Sequence, residues 1–349
     1  MKVSLVVVCH HSSRVLPTCS ETFRREAAAS GVEAEVVAVE HSEDAAELAK
    51  VEAIGVERLL VRPNRGYAAG LNAGSAEAGG DVLLLANPDI RFYPGSVSAL
   101  LDGVARGFDV VGPQFVWDDE GTVFLPPAED PSTMSELGRI LRRRWRWAWW
   151  AGLQRFLEET WQMWTEESTL PVTSLRGALL AVPKETFGRF GPFDEGYFLY
   201  YEETEWLWRA RRRGASLGFA AGARIRHRWG HSTDRLKNIV EHEQRSRERF
   251  FARNYGAQWR SVLDACERDS QRPPYTTTRV FDVNVIPERE ADIWLASPSI
   301  HLMPALGCLW QERFPPPLVE FCRDRRWPVL AANRTAGKWR CIDVWTWGH

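Results

Sequence analysis

The sequence feature that most constrains the fold is a short apolar run, Val82 to Ala86, that ends abruptly at Asn87-Pro88-Asp89. A run that is apolar on both faces predicts a strand inside a mainly parallel sheet, and Pro88 blocks further strand pairing. In open α/β sheets, ligands bind beyond the carboxyl ends of the strands. Asn87 and Asp89 are therefore expected where a ligand would bind, although Asn-Pro-Asp is also ordinary turn chemistry.

Strand and helix signals alternate through the first hundred residues. Apolar runs at 3–8, 35–39, 58–61 and 82–86 predict four strands with helices between them, as in a parallel sheet covered by helices. Each strand ends in polar residues. Because the carboxyl ends of parallel strands meet at one edge of a sheet, we expect a nucleotide-binding crevice there. Its candidate contacts are Cys9, His10, Glu40, Asp44, Asn64, Gly66, Asn72 and Asn87.

Three glycines spaced four residues apart, Gly66, Gly70 and Gly74, share one face of the helix predicted after the third strand. Such a face lets the backbone approach a ligand or another backbone closely. Tight packing of the helix on the sheet explains Gly70 and Gly74, whereas Asn64 and Asn72 are the better ligand candidates. The stretch is neither a Walker loop nor a Gly-x-Gly-x-x-Gly fingerprint.

A second acidic centre comprises Glu202, Glu203 and Glu205 in the first turn of another predicted helix. The helix dipole favours acidic residues there, which is a sufficient structural reason for all three. General base catalysis needs the same feature, because a carboxylate kept ionised can accept a proton. The cluster is flanked by three aromatic residues: Tyr200, Tyr201 and Trp206.

The motifs between residues 3 and 235 fit together as one pattern. They are Glu40-His41-Ser42-Glu43-Asp44, the helix from Asn64 to Gly74, Asn87-Pro88-Asp89, Gly177-Ala178, Phe193-Asp194-Glu195 with the aromatic and acidic residues up to Glu205, and the run from His227 to Ser232. This pattern resembles family 2 glycosyltransferases of the GT-A fold, nearest to the rhamnosyltransferase-like members that act on bacterial surface polysaccharides. The chain departs from the family at Glu40 and His41, where Asp and Asn are usual.

The resemblance implies an α/β fold with a Rossmann-like, mainly parallel sheet and flanking helices. It also implies an enzyme that transfers a sugar, with inversion and with a divalent cation, from a nucleotide-diphosphate donor to a hydroxyl acceptor. The donor would be dTDP- or UDP-linked, and the acceptor a carbohydrate or a lipid-linked sugar in surface polysaccharide or glycolipid assembly.

The resemblance also implies roles for individual residues. Glu203 stands where the family has its catalytic Asp, and Glu202 is the second choice. Asp89 and His227 would hold Mg²⁺ or Mn²⁺. Glu40, Asp44 and Asn64 would position the nucleoside. The acceptor side would comprise Gly177, Ala178, Asp194 and Trp206.

The composition of the chain limits the classes of partner that we expect. A net charge of -2 and a pI near 6.5 give no basic field for nucleic acid. The six cysteines are scattered without a Cys-x-x-Cys pair, and we find no secretion signal, so we expect reduced thiols in a cytoplasmic protein. No apolar run approaches the ~18 residues of a membrane span, and the protein is expected to be soluble or peripheral.

The stretch from Arg139 to Trp150, continuing to Trp164, is basic and rich in tryptophan. A helix of this composition is typical of a segment that lies in a membrane interface. It fits equally an ordinary surface helix whose tryptophans pack on the domain, or a dimer contact. We therefore expect residues 139–164 to contact the inner face of the cell membrane, to pack on the domain, or to form a homodimer.

The sequence predicts two domains, a catalytic domain at 1–270 and a small β-rich module at 275–349. A Trp- and Arg-rich helical insertion interrupts the first domain at about 135–168, and Gln271 to Pro274 has the composition of a linker. In the module, apolar runs at 327–332 and 340–345 flank a turn, as in a hairpin.

Three other functions fit parts of the sequence. A sugar-nucleotide-binding protein without catalysis fits the replacement of Asp by Glu at Glu40 and Glu203. A nucleotidyltransferase uses a related sheet, but its first strand normally leads into a Gly- and Arg-rich loop, where this chain has His10-His11-Ser12-Ser13. A non-enzymatic membrane adaptor has only the Trp-rich segment in its favour.

Overall fold

A computed structural model describes residues 1–227, 239–256, 259, 278–280, 291–299, 302–311, 322 and 324–347. The chain divides into two compact units. Unit 1 comprises Met1–Asp119, Ala128–Pro131 and Glu166–Arg260. Unit 2 comprises Glu120–Pro127, Ser132–Thr165 and Ser261–His349.

The helices and strands follow one another in this order. The first ten are β1 (Lys2–Cys9), α1 (Leu16–Ala29), β2 (Glu33–Glu40), α2 (Ala45–Glu52), β3 (Arg58–Val61), α3 (Tyr67–Glu77), β4 (Val82–Ala86), β5 (Arg91–Phe92), α4 (Ser96–Ala105) and β6 (Val110–Val116). Two helices of unit 2 follow, α5 (Thr133–Arg144) and α6 (Arg146–Thr165). The chain returns to unit 1 with β7 (Thr169–Val172), β8 (Leu179–Pro183), α7 (Lys184–Phe190), α8 (Glu202–Arg212), β9 (Leu217–Arg226) and α9 (Ile239–Tyr255). Unit 2 continues with β10 (Thr278–Val280), β11 (Ala291–Ala296), β12 (Leu306–Gln311), β13 (Val329–Thr335) and β14 (Lys338–Trp347).

Unit 1 is built on one sheet with the strand order β3-β2-β1-β4-β8-β6-β9-β5, and β7 pairs with β9. The first four strands of this order are mutually parallel, as the sequence predicts, and β8 runs antiparallel between β4 and β6. All five residues of β4 are buried, which explains its continuous apolar sequence. The carboxyl ends of β1 to β4 therefore meet at one edge of the sheet.

The packing of α3 on the sheet confirms the interpretation of its inner glycines. A Cβ atom at Gly70 would lie 2.6 Å from a methyl carbon of Val8 and 2.9 Å from the ring of His41. At Gly74 it would lie 3.1 Å from a methyl carbon of Val39. Only glycine lets this helix approach β1 and β2 so closely.

In unit 2, five strands form a second sheet in the order β10-β14-β13-β11-β12. The predicted hairpin is present as β13 and β14, joined by a turn at Ala336 and Gly337 that has positive φ at both residues. Helix α6 is tied to this sheet because Gln154 exchanges two hydrogen bonds with the backbone of Trp339. The helices of the segment at 135–168, which we expected as an insertion in the first domain, group with the C-terminal sheet. The expected linker at 271–274 lies outside the described residues.

The glycine packing of α3 predicts opposite effects for two helical Gly→Ala changes. Gly70→Ala drives a methyl group into Val8, and overpacking costs about 1–3 kcal/mol. Gly188→Ala, in α7, meets nothing within 4 Å and gains helix propensity of up to about 1 kcal/mol. Urea unfolding should show a lower free energy of unfolding for the first variant and a higher one for the second. Equal values for the two would contradict the close approach.

Candidate active site

The polar residues after β4 are held in a defined geometry. The Asn87 amide N–H donates to the carbonyl oxygen of Ala178 over 3.0 Å. The Asn87 side-chain oxygen accepts from the Tyr67 hydroxyl over 2.8 Å, and its Nδ2 lies 3.4 Å from Nε2 of His227. The same imidazole nitrogen lies 3.7 Å from Oδ1 of Asp89. The end of β4, the start of α3 and the end of β9 therefore meet at one point.

The acidic centre at the start of α8 is buried and approached through strained backbone. Tyr200 and Tyr201 both have left-handed φ, at 64° and 67°, which is uncommon for bulky residues and is found mostly at functional sites. Glu202 is 4% exposed. A Cβ atom at Gly177 would lie 2.6 Å from the carboxyl carbon of Glu203, so that glycine packs directly on this side chain.

Two contacts bring Asp89 and the glutamate pair into one site. Gly177 packs on Glu203 while the next residue, Ala178, accepts the hydrogen bond from Asn87. Burial raises the pKa of Tyr67 well above its usual value, and the nearby carboxylates of Glu202, Glu203 and Asp89 raise it further. The Tyr67 hydroxyl therefore lies in the field of both acidic centres.

The two glutamates share a hydrogen bond and titrate together. Burial and the neighbouring Glu203 raise the pKa of Glu202 well above its usual value. Burial also raises the pKa of Glu203, but the hydrogen bond from Glu202 and the charge of Arg176 oppose that rise. Of the two carboxyl groups, Glu202 therefore has the pKa that is raised further.

Arg176 is the cation next to this pair. Burial lowers its pKa to about 10, against the opposing effect of Glu129 and Glu203, so it remains charged at neutral pH. Its charge also lowers the pKa of His227, for which burial is the larger cause and Asp89 the opposing one. His227 is consequently neutral at pH 7, and a neutral imidazole is the form that binds a metal ion.

The donor set at the end of β4 fits part of a divalent-cation site. Asp89 Oδ1 and Nε2 of the His227 imidazole face each other 3.7 Å apart. Within the described residues, no three His, Cys, Asp or Glu side chains form a group that could hold a metal ion. A cation here would need further ligands, and diphosphate oxygens are suitable ones.

The residues at the ends of β1 to β3 line the same edge of the sheet. Cys9 is fully buried, and His10 is exposed with its Nδ1 3.4 Å from the carbonyl oxygen of His41. Glu40 is 2% exposed and accepts a 2.6 Å hydrogen bond from the Ser42 amide. Glu40 Oε2 has no hydrogen-bond partner among the described residues, which is unusual for a buried carboxylate oxygen.

Asp44 and Asn64 organise the backbone at this edge. Asp44 caps α2 by accepting from the amides of Ala46 and Glu47, which lowers its pKa. Asn64 accepts from the amide of Gly66, whose φ of 98° requires glycine, and a Cβ atom there would meet the backbone of Phe198. Their contacts with a nucleotide sugar stay predictions.

Three expected ligand contacts have structural partners instead. Asn72 uses both atoms of its amide to hold the loop after α7, bonding the backbone of Phe193. Asp194 pairs with Arg249 and Arg253 of α9. Trp206, expected on the acceptor side, is fully buried and donates to the carbonyl oxygen of Gly191 over 2.7 Å.

Sequence reasoning missed two residues of the site. The signal for Tyr67 was its position as the first residue of α3, directly after Gly66 with its positive φ. At that position a side chain turns back toward the edge of the sheet. Arg176 was available as the one charged residue in the stretch from Leu175 to Val182. Neither sequence position reveals which carboxylates lie near these two side chains in the folded protein.

The fold and the site together define an α/β protein with two acidic centres beside the carboxyl ends of its parallel strands. A sequence model of Glycosyl transferase family 2 matches residues 4–165. A relative named N-acetylglucosaminyl-diphospho-decaprenol L-rhamnosyltransferase, from Mycobacterium tuberculosis, is 30% identical over 224 residues, which cover 60% of this chain and 70% of the relative. The chain belongs to family 2 of the glycosyltransferases, and the GT-A fold class expected from the sequence is confirmed.

Two further similarities are more distant. The low-salt glycan biosynthesis hexosyltransferase Agl10 of Haloferax volcanii is 26% identical over 160 residues, 44% of this chain and 46% of that protein. A crystal structure of GalNAc-T7 with UDP, GalNAc and Mn²⁺ superposes with a TM-score of 0.48 at 16% identity. The superposition covers 77% of this chain and 55% of that one.

The glutamate pair predicts a pH dependence of stability. Because the pKa of Glu202 is raised in the folded protein, its contribution to stability is complete below the unfolded pKa of about 4.3 and is lost as pH rises through the folded pKa. Gln resembles the protonated acid and does not titrate. We therefore compare the free energy of unfolding of Glu202→Gln with that of the unmodified protein. The difference, variant minus unmodified protein, should increase as pH rises above about 4.3, by at most about 1.4 kcal/mol per pH unit.

The matched control is Glu159→Gln, which replaces a half-exposed glutamate of α6. Its free energy of unfolding should run parallel to that of the unmodified protein between pH 4 and 8, in urea titrations at each pH. A Glu202→Gln variant that behaved like this control would mean that the pair does not share a proton.

Proposed function

We propose that this protein is an inverting glycosyltransferase that moves a sugar from a nucleotide-diphosphate donor to a hydroxyl acceptor. The observation that carries the proposal is the position of Tyr67, whose hydroxyl bonds Asn87 beside Asp89 and lies in the field of Glu202 and Glu203. A group that binds the diphosphate and a group that accepts a proton are thus neighbours. Family membership supports sugar transfer as the chemistry.

Glu203 is the proposed general base. Its Oε2 is buried and has no hydrogen-bond partner among the described residues, so an acceptor hydroxyl can donate to it. Glu202 holds the pair's own proton, and Arg176 favours the ionised form of Glu203. During transfer, the bond from the anomeric carbon to the diphosphate oxygen breaks, the bond to the acceptor oxygen forms, and the hydroxyl proton passes to Glu203.

Asp89 and His227 are the proposed protein ligands of a divalent cation, Mg²⁺ or Mn²⁺. When bound, such an ion supplies positive charge that stabilises the departing diphosphate. Asn87 Nδ2 lies 3.4 Å from the same imidazole nitrogen, Nε2, that faces Asp89, and the Tyr67 hydroxyl in turn fixes the orientation of the Asn87 amide. Glu40, with its unpartnered buried oxygen, is the proposed contact for the nucleoside.

The donor and acceptor are proposed at the level of chemical class. The name of the Mycobacterium tuberculosis relative describes a rhamnosyltransferase acting on a sugar linked through diphosphate to decaprenol. We propose a dTDP- or UDP-linked donor and a carbohydrate or lipid-linked acceptor, in bacterial surface polysaccharide or glycolipid assembly at the cytoplasmic face of the membrane. Among the described residues, no helix has the length and apolar character needed to cross a bilayer.

Separate substitutions of Asp89 and Glu203 distinguish the residue that binds the donor from the residue that accepts the proton. We expect Asp89→Ala to abolish both transfer and the Mn²⁺-dependent part of donor binding, measured by calorimetric titration with UDP- and dTDP-sugars. Glu203→Gln should bind donor normally but lose about 10²–10⁴ in transfer rate, because the base is gone.

Glu205→Gln is the matched control for the second variant, since Glu205 lies in the same helical turn but pairs with Arg209 at 3.1 Å. It should unfold more easily yet keep its turnover number. Full transfer activity in Glu203→Gln would remove that residue from the mechanism.

Tyr67 is expected to act as a positioning residue. In Tyr67→Phe the oxygen of Asn87 loses its donor, which costs about 1–3 kcal/mol of stability and frees the amide to turn away from His227. We expect weaker Mn²⁺-dependent donor binding. Tyr93→Phe also removes a hydroxyl donor, one that bonds the carbonyl oxygens of Asp118 and Asp119, and it should lose stability only. Identical donor affinities in the two variants would refute the positioning role.

A sugar-nucleotide-binding protein without catalysis is the second candidate function. The observation in its favour is that burial raises the pKa of Glu203, which weakens ionisation of the proposed base. Donor hydrolysis in the presence of Mn²⁺ separates the two functions, because a binding protein retains the donor intact.

A further inference from the structure

Helices α5 and α6 meet at a corner that exposes large apolar side chains. Trp145, Trp147 and Trp150 are 43%, 68% and 40% exposed, and all three lie within six residues of the chain. The rings of Trp145 and Trp147 stack with their centroids 6.4 Å apart and 18° between their planes. We call these three residues, together with Arg144 and Arg146, the tryptophan corner.

The exposed tryptophans are distinct from those that build the core of unit 2. The inward face of α6 carries Trp149, Leu153, Leu157 and Trp164, each at most 6% exposed. Trp164 donates from its indole nitrogen to the carbonyl oxygen of Leu125. The sequence left open whether the tryptophans of residues 139–164 pack on the domain, and the structure divides them: one set packs inward and the corner faces solvent.

The chain segment that contains the corner is basic. No acidic residue occurs between Glu136 and Glu158, whereas six arginines do, in a chain whose net charge is -2. Arg144 and Arg146 are both exposed, and the Arg144 guanidinium lies 5.9 Å from the Trp145 ring. Two of the six arginines, Arg139 and Arg155, pair with Glu136 and Glu159, while Arg144 and Arg146 lie next to the exposed rings in the chain.

This combination matches the chemistry of a lipid interface. Indole rings prefer the headgroup level of a bilayer, where their apolar body is buried and their N–H stays hydrated. Arginines beside them gain from the negative surface potential of anionic lipids.

We propose that the tryptophan corner docks unit 2 on a membrane surface that contains anionic lipids. The corner inserts the rings of Trp145, Trp147 and Trp150 at headgroup depth while Arg144 and Arg146 contact lipid phosphates. The inference goes beyond the proposed transferase function, because it depends only on the surface of unit 2 and not on the residues of the active site.

The experiment is flotation of the full chain with phosphatidylcholine vesicles, with and without phosphatidylglycerol. We expect binding to the anionic vesicles. High salt should weaken it, because salt screens the attraction between the arginines and the anionic lipids. Trp147→Ser and Trp150→Ser should each lower the partition coefficient on the order of tenfold through lost apolar burial. Arg144→Gln and Arg146→Gln should each lower it about fivefold.

The matched controls are Val61→Ser and Lys50→Gln, which remove an exposed apolar side chain and an exposed cation from unit 1. Both should bind vesicles like the unmodified chain, and the corner variants and Lys50→Gln should keep donor hydrolysis, which reports on the candidate site of unit 1. Equal vesicle binding by corner and control variants overturns the proposal. So does a lipid-free dimer, seen in sedimentation velocity, that the corner substitutions dissociate while vesicle binding persists.

Discussion

The active site depends on how Asn87 is held at the end of β4. Its backbone N–H is fixed by Ala178, and its side-chain oxygen by the Tyr67 hydroxyl. With the amide oxygen accepting from that hydroxyl, the amide nitrogen is turned toward His227. One hydrogen bond from α3 thus determines which atom the end of the strand presents to the imidazole beside Asp89.

The buried acids beside this point are costly, and the surrounding structure shows how the cost is limited. Two carboxylates in contact cannot both ionise cheaply, and burial together with Glu203 raises the pKa of Glu202 well above its usual value, which disfavours a second negative charge beside that of Glu203. Arg176 stabilises the negative charge of Glu203, and Oε2 of Glu203 still has no hydrogen-bond partner among the described residues. The left-handed Tyr200 and Tyr201 add backbone strain of about 1–3 kcal/mol each, which the packing of the loop after α7 must overcome.

Sequence reasoning predicted the features that are set by local pattern. The strand Val82–Ala86 follows from apolar residues on both faces, and the packing of α3 follows from glycines on one face. It did not reveal the structural partner of Asn72, because an amide serves a ligand or a loop equally well and Phe193 is 121 residues away in the chain. The role of Tyr67 was hidden for the same reason, since the carboxylates that act on it come from α8.

The replacement of Asp by Glu at the proposed base is best understood from the residue that faces it. A glutamate reaches one methylene further than an aspartate and needs correspondingly more room. Gly177 supplies that room, because its missing Cβ atom would lie only 2.6 Å from the carboxyl carbon of Glu203. The adjacent Ala178 carbonyl is committed to Asn87, so the strand cannot retreat to admit a larger side chain. Gly177 belongs to the pattern that the chain shares with the family, and the room it leaves accommodates the longer carboxylate at residue 203 without expelling it from the site.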